Sequence, residues 1–403
     1  MKGLTFILML LPFLLWAQQE DKEIEKRLRK ITQSSAKIPE QYTYSTYHLA
    51  HYLTTEAETN VEKVRSFYVW IANNVTYDMI GYNANNLPDY RPRAVLHNRL
   101  AVCEGYARLF QELCSEAGVR SEIVRGFAKG YGYEKGQQFG VSNHAWNVVY
   151  LDSTWQFIDV TWAARRWNDR ETVFPLNDAY FLPPAQIFIR DHLPEIPAWQ
   201  LLTNPVSKVE FESPVILLDS GDYNYSDTLE LLLDKPQEDR TITYQLMARD
   251  FNSANDEANY KLGVEYRFRG LDILELIYKV EDIDTVIFQE LEGRSFAAFN
   301  EAALYFTLIK PGSRYYESSQ VFLDDTDFER GVFKYEVAHR MIELNNRFDH
   351  SDKKRFRQEV ERLVLKNYEE AAIYFKLISR HSWYYEKAQE YLNEYLKNPF
   401  EPN

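Results

Sequence analysis

The first regular pattern of apolar residues along the chain has the spacing of a helix. Val64, Tyr68 and Ile71 follow one another three or four residues apart, which predicts a helix over residues 61–74. A second apolar stripe predicts a helix over residues 101–117, directly after a polar loop.

The period then changes to that of β-structure, which predicts strands at 121–127, 145–151 and 155–161. Helices followed by a run of strands indicate the α+β class. We expect this α+β domain to occupy residues 18–200.

The second half of the chain has a different pattern. Prolines cluster between Phe181 and Val206, which indicates a domain boundary. Short apolar runs separated by Asp, Gly, Asn and Pro follow, and they predict a β-sandwich-like region over residues 206–323. From residue 327 the period is helical, so a C-terminal helical region is expected over residues 327–398.

Residues 1–17 have the pattern of a secretory signal peptide. Lys2 gives a positive end, an apolar run extends over residues 4–16, and Ala17 precedes a polar segment. The apolar run is shorter than the roughly 20 residues that span a bilayer. We therefore expect cleavage after Ala17, a secreted or periplasmic location, and no transmembrane anchor.

Composition narrows the class of partner. The chain has 403 residues, 45% of them hydrophobic, which suffices for more than one packed domain. It carries 46 Lys and Arg against 60 Asp and Glu, a formal net charge of −14. Nucleic-acid binders usually show a basic footprint. No nucleic-acid partner is expected.

The chain has two cysteines, Cys103 and Cys114, both within the second predicted helix. Eleven residues of helix separate their Cα atoms by roughly 16 Å, whereas a disulfide needs about 4.4–6.8 Å. They cannot pair within one chain. Cys114 lies on the apolar stripe and is expected to be buried, while Cys103 opens the helix, where the partial positive charge of the N-terminus favours a nucleophilic thiolate.

A histidine and a carboxylate lie on two strands predicted to form a hairpin. A two-residue turn at 152–153 places Leu151 opposite Thr154. In that register Asp159 is the diagonal neighbour of His144 on the same face of the sheet. A carboxylate beside an imidazole fixes its tautomer and stabilises its protonated form, as in nucleophile–base–orienter triads.

Several motifs between residues 61 and 162 together resemble the transglutaminase-like superfamily of papain-fold cysteine enzymes. The resemblance is greatest to the branch that includes kyphoscoliosis peptidase and the cytokinesis proteins. It covers about a quarter of the chain and rests on KVRSFYVWI at 63–71, NVTYD at 74–78, VCEGYA at 102–107, GV at 118–119, NHAWN at 143–147 and IDVTW at 158–162.

This resemblance implies a papain-like transglutaminase core with Cys103 as nucleophile, His144 as general base and Asp159 as its orienter. Family members also use an aromatic side chain near the oxyanion, a role that Tyr77 or Trp70 would fill here. The implied chemistry is acyl transfer through a thioester on a protein or peptide substrate, without cofactor or metal.

Two questions remain open at the level of sequence. With water as acceptor the enzyme would be a peptidase or amidase, and with an amine it would be a transglutaminase. The alternative is a non-catalytic scaffold or binding protein of the cell envelope that uses the same fold. The C-terminal β and helical regions are expected to contact protein partners.

Overall fold

The structure is a computed structural model that describes residues 22–252, 255–279, 285–347 and 354–395. The predicted signal peptide at residues 1–17 lies outside these ranges. The chain divides into two compact units, one ending at Leu233 and the other beginning at Asp234. Among the described helices, none combines the length and the apolarity that crossing a membrane requires.

The first unit combines helices and strands, as the α+β prediction requires. Its helices are α1 over residues 22–35, α2 Thr46–Leu53, α3 Asn60–Asn74, α4 Met79–Asn83, α5 Pro92–Asn98, α6 Cys103–Glu116, α7 Ala185–Phe188, α8 Lys208–Glu212 and α9 Tyr225–Leu233. Its strands are β1 Thr76–Tyr77, β2 Leu100–Ala101, β3 Ser121–Ala128, β4 His144–Leu151, β5 Thr154–Ile158 and β6 His192–Pro194.

Four strands form an antiparallel sheet in the order β5-β4-β3-β6. The β4–β5 hairpin has the predicted register, with Leu151 opposite Thr154. Asp152 and Ser153 in the turn have φ values of 47° and 64°. Two consecutive left-handed residues are typical of the type I′ turn, whose twist matches that of the flanking strands.

Helix α6 lies at the centre of this unit. Its buried residues Tyr106, Leu109, Phe110 and Leu113 recur at helical spacing. They share one core cluster with α3 and with residues of β4 and β5. The helix is therefore held between the other helices and the sheet, and this fixes the position of Cys103 at its first turn.

The predicted β-sandwich-like region at 206–323 is wrong. The described residues of this range include helices and no strand. The helices of this range are α8, α9 and those that begin the second unit. The second unit contains α10 Gln237–Phe251, α11 Asp256–Lys279, α12 Thr285–Thr307, α13 Tyr316–Arg347, α14 Lys354–Leu377 and α15 Tyr385–Tyr395.

The packing of α11 explains this error. The stretch contains three tyrosines, two isoleucines, one valine and one phenylalanine, residue types that favour strands on local propensity. In the structure Tyr260 and Val264, four residues apart, pack with Phe306, and Leu262 and Tyr266 pack with Tyr305 on the adjoining face. Tertiary contacts at helical spacing therefore outweigh strand propensity.

The second unit also contains an internal repeat. Residues 301–309 read EAALYFTLI and residues 370–378 read EAAIYFKLI. A Cβ added at Gly263 would lie 2.5 Å from the Phe306 ring, and one added at Gly331 would lie 2.5 Å from the Phe375 ring. The α11–α12 and α13–α14 hairpins therefore share a glycine–phenylalanine contact at corresponding positions.

The structure divides the chain later than the predicted boundary between residues 200 and 206. Gln200 bonds through its side chain to the backbone N–H and carbonyl of Val206. Phe211 is fully buried, with its ring centroid 5.8 Å from that of Phe139. Prolines in this segment lie in ordered, packed structure, so proline clustering alone was a poor boundary signal.

Candidate active site

Cys103 is the first residue of α6, and its side chain is partly exposed, whereas Cys114 is buried. Among the described residues, no side chain caps the N-terminus of this helix at Val102. Glu104, the acidic residue of the first turn, is bound by Arg108 at 2.8 Å and by Arg125 at 2.6 Å. Two arginines therefore offset the negative charge of Glu104, which would otherwise oppose the partial positive charge of the helix N-terminus at Cys103.

His144 and Asp159 form a buried pair, although they do not lie opposite each other in the sheet. β5 ends at Ile158, so Asp159 begins the loop that follows it. Its Oδ2 lies 2.8 Å from His144 Nε2. Its Oδ1 accepts the backbone N–H groups of Thr161 and Trp162 at 2.8 and 3.1 Å. The carboxylate is thus held at both oxygens, and Nδ1 of the imidazole is left for the thiol.

The pKa directions match an imidazolium beside an anion. Burial acts to lower the pKa of the His144 imidazole, but the charge and hydrogen bond of Asp159, with a further contribution from Cys103, raise it to about 10. Burial acts to raise the pKa of Asp159, but His144 and His192 hold it well below its usual value. Cys103 and Asp159 therefore act on the same imidazole.

His192 is a residue of this site that the sequence analysis missed. Its Nε2 lies 3.0 Å from the same Asp159 Oδ2 that binds His144. The three ligand-type atoms lie within 4.8 Å of one another. Nε2 of His144 and Nε2 of His192 both lie at hydrogen-bond distance from Asp159 Oδ2, so each can donate a hydrogen bond to that oxygen. We interpret the three residues as a hydrogen-bonded cluster rather than a metal site.

A cleft of about 340 Å³ opens beside His144, and its wall includes several tyrosine and tryptophan side chains. Tyr77 lines it, and the parallel β1–β2 pair sets Tyr77 opposite Ala101, two residues before Cys103. Burial and the nearby Cys103 raise the pKa of the Tyr77 hydroxyl. The lining residues also include Tyr82, Tyr131, Asn143, Thr161, Trp162, Trp167 and Tyr180.

The two aromatic residues predicted near the oxyanion have different positions. Tyr77 lies at the cleft, close enough to Cys103 for the two side chains to interact electrostatically. Trp70 lies in the core cluster of the unit, with the Arg99 guanidinium 4.6 Å from its ring centroid. Of these two residues, Tyr77 lines the cleft and Trp70 is buried.

Comparison with known proteins identifies the class of domain. The sequence model of the Transglutaminase-like superfamily matches residues 47–160, which contain Cys103, His144 and Asp159. The chain therefore carries a transglutaminase-like domain. Kyphoscoliosis peptidase of Homo sapiens is 38% identical to this chain over 164 residues, which are 40% of the chain and 25% of the relative. This domain belongs to the branch that includes kyphoscoliosis peptidase.

Other relatives cover similarly limited parts of both chains. "Lim and transglutaminase domain protein ltd-1" of Caenorhabditis elegans is 30% identical over 177 residues, 40% of this chain and 24% of its own. A solved crystal structure of a TGase aligns with 30% of this chain and 31% of its own at 23% identity, with a TM-score of 0.24, which adds nothing to the assignment. The chain spans about a quarter of the length of the curated relatives it matches.

Proposed function

We propose that this protein is a cysteine enzyme that transfers or hydrolyses acyl groups of protein or peptide substrates. The observation that carries the proposal is the buried hydrogen bond between His144 and Asp159, with the imidazole acting also on Cys103. Cys103 opens a helix whose end favours an anion, and a cleft lined by tyrosine and tryptophan side chains opens beside His144. A nucleophile, a base and an orienter in this order are the parts of covalent acyl-transfer catalysis.

In the proposed reaction the Cys103 thiolate attacks the carbonyl carbon of a substrate amide. The carbonyl electrons move to oxygen, and the His144 imidazolium gives its Nδ1 proton to the leaving amine as the C–N bond breaks. A thioester on Cys103 remains. Water or a second amine, losing a proton to His144, then attacks the thioester, and sulfur leaves as thiolate. Asp159 stays ionised and keeps the imidazole in the required tautomer.

The proposal is tested with a general protein substrate and a fluorescent amine. Casein would be incubated with the protein in the presence and absence of monodansylcadaverine, followed by separation on denaturing gels and by mass spectrometry. Fluorescent casein indicates transamidation, new casein termini indicate hydrolysis, and an acyl adduct on Cys103 indicates the thioester.

Each product should disappear in Cys103→Ala and persist in Cys114→Ala, which alters the buried cysteine of the same helix. Products that persist in Cys103→Ala would refute the proposal. The absence of any product and of any Cys103 adduct would favour a non-catalytic scaffold.

We further propose that the protein is exported and acts outside the cytoplasm. The support is the pattern of residues 1–17, with a positive end, an apolar run and Ala17 before a polar segment. The test is the N-terminus of the protein recovered from its native source. A mature chain that begins at Gln18 supports export, whereas a chain that retains residues 1–17 in the cytoplasm contradicts it.

A further inference from the structure

His192 is fully buried, and each of its two ring nitrogens faces a carboxylate. Nε2 lies 3.0 Å from Asp159 Oδ2, and Nδ1 lies 2.6 Å from Asp191 Oδ1. A neutral imidazole has one N–H donor and one acceptor nitrogen. Its acceptor nitrogen would then face a carboxylate oxygen at hydrogen-bond distance with no proton between them.

Both carboxylates also accept hydrogen bonds from groups other than His192. Asp159 Oδ1 accepts two backbone N–H groups, and Asp191 Oδ2 accepts the hydroxyl of Tyr180 at 2.8 Å. Hydrogen bonds to the charged form of a carboxyl group favour that form. An imidazolium at His192, with two N–H donors, satisfies both acceptors, whereas a neutral ring satisfies one.

The sheet explains how two histidines from distant segments meet. On β3, Gly126 lies opposite His144, and Ala128 lies opposite His192. Residues two apart on a strand share one face, so both imidazoles lie on the same side of the sheet. The centroids of the two rings are 5.4 Å apart.

The surroundings of His192 hold its ring in one orientation. Its centroid is 4.2 Å from that of Phe188, in a stacked arrangement, and 4.3 Å from that of Trp162. Two rings and two carboxylates therefore fix the orientation of the imidazole. The titratable groups that face the ring directly are Asp159, Asp191, His144 and Tyr180. Those that act through these partners are Cys103, Lys129, Tyr68 and Tyr77.

We propose that His192 is a positioning residue of this site, an imidazolium that fixes Asp159 Oδ2 on His144 and adds positive charge near the thiol. The inference rests on the proposed function, since it assigns a role in the chemistry of Cys103. It extends the site from three residues to four and links it through Asp191 to Tyr180 on the wall of the cleft.

Two variants separate the bond of His192 from its charge. His192→Gln keeps a donor for Asp159 but removes the charge, and His192→Phe keeps a ring in the aromatic stack but removes both. His97→Gln, at an exposed position of the same unit, is the matched control. The readout is the rate of iodoacetamide alkylation of Cys103 between about pH 4 and pH 10, followed by peptide mass spectrometry.

We expect His192→Phe to lower the alkylation rate near neutral pH about tenfold, because Asp159 loses one of the two imidazole donors on its Oδ2. His192→Gln should recover most of that loss. In both variants the acidic limb of the profile should move to higher pH by roughly half a unit to one unit, because a cation that favours the thiolate is gone. A purely structural role would not move the limb.

The proposal is overturned if a cooperatively folded His192→Phe or His192→Gln protein has the wild-type rate and the wild-type pH profile. A second measurement is nuclear magnetic resonance of protein labelled with ¹⁵N-histidine, with the His192 signals identified by their loss in the variants. Two protonated ring nitrogens are expected, and one unprotonated nitrogen overturns the proposal. The protonation state of His192 can be measured whether or not the protein is active. An unreactive Cys103 in the wild type would therefore contradict the proposed function but not the protonation of His192.

Discussion

Replacement of Asp159 by asparagine tests the electrostatics of the site with almost no change in shape. The carboxylate of Asp159 accepts four hydrogen bonds, two from imidazole nitrogens and two from backbone N–H groups. An asparagine has one oxygen and one NH₂ group in the same places. If its oxygen stays on the backbone donors, its NH₂ group faces the Nε2 atoms of His144 and His192.

Activity should be lost because the asparagine NH₂ group and a protonated Nε2 are both hydrogen-bond donors and cannot bind each other. His144 must turn its Nε2 into an acceptor, which puts the remaining proton on Nδ1 and removes the base that faces Cys103. General acid–base catalysis contributes about 10²–10⁴-fold, and the corresponding change in a serine-protease triad costs about 10⁴-fold. We expect a loss of about 10³-fold in acyl-enzyme formation. Losing two charged hydrogen bonds should also destabilise the fold by about 3 kcal/mol.

The assay is the rate at which Cys103 acquires the acyl group of casein, with the urea midpoint measured on the same sample. Asp169→Asn is the matched control, because Asp169 makes an ion pair with its neighbour Arg170 on the surface. Asp159→Asn with the wild-type rate would refute the role of the carboxylate. A loss of activity that parallels the unfolded fraction would refute the tautomer argument.

Three further predictions concern pH, packing and domain limits. The pKa of His144 is raised to about 10, so its contribution to the free energy of unfolding is complete below about pH 6.5 and is lost as pH rises toward 10. The free energy of unfolding should fall by at most about 1.4 kcal/mol per pH unit in this range. His144→Gln should flatten this slope in urea titrations, and an unchanged slope would contradict the prediction. Gly126→Ala should destabilise by about 2 kcal/mol, because the new Cβ would lie 2.1 Å from the Leu193 carbonyl oxygen; an unchanged urea midpoint would contradict this. A fragment 18–233 should melt cooperatively while 18–205 should not, because the shorter one lacks buried residues of the first unit; calorimetry that shows equal melts would contradict it.

Local signals were sufficient to predict the part of the site that lies on neighbouring elements. The two-residue turn after Leu151 sets the register of its hairpin, and register places His144 near the end of β5. Helical periodicity likewise places Cys103 at the start of α6. Asp159 was expected within the strand but lies one residue beyond its end, because β5 is shorter than its apolar pattern.

His192 was not predictable in the same way, because its role depends on contacts far along the chain. It lies 33 residues from Asp159, in a segment whose prolines indicated a linker. Its pairing with β3 is set by the tertiary fold rather than by a short turn. The one local signal was a histidine directly after Asp191 at the start of a short apolar strand.

The second unit was mispredicted for a different physical reason. Its helices are rich in aromatic and β-branched residues, and α11 packs those residues against α12 at helical spacing. Propensity alone cannot show this packing. Comparison of residues 301–309 with 370–378 would have revealed the repeat and argued for helices in both places.

The relative reactivity of the two cysteines tests most directly whether Cys103 is a nucleophile activated by His144. Cys103 opens α6 beside His144, whereas burial raises the pKa of Cys114 far above its usual value. Near neutral pH, iodoacetamide should alkylate Cys103 at least about 100-fold faster than Cys114, and His144→Ala should remove most of that advantage. Equal rates for the two cysteines, or a Cys103 rate that is unchanged in His144→Ala, would contradict the assignment of a histidine-activated nucleophile.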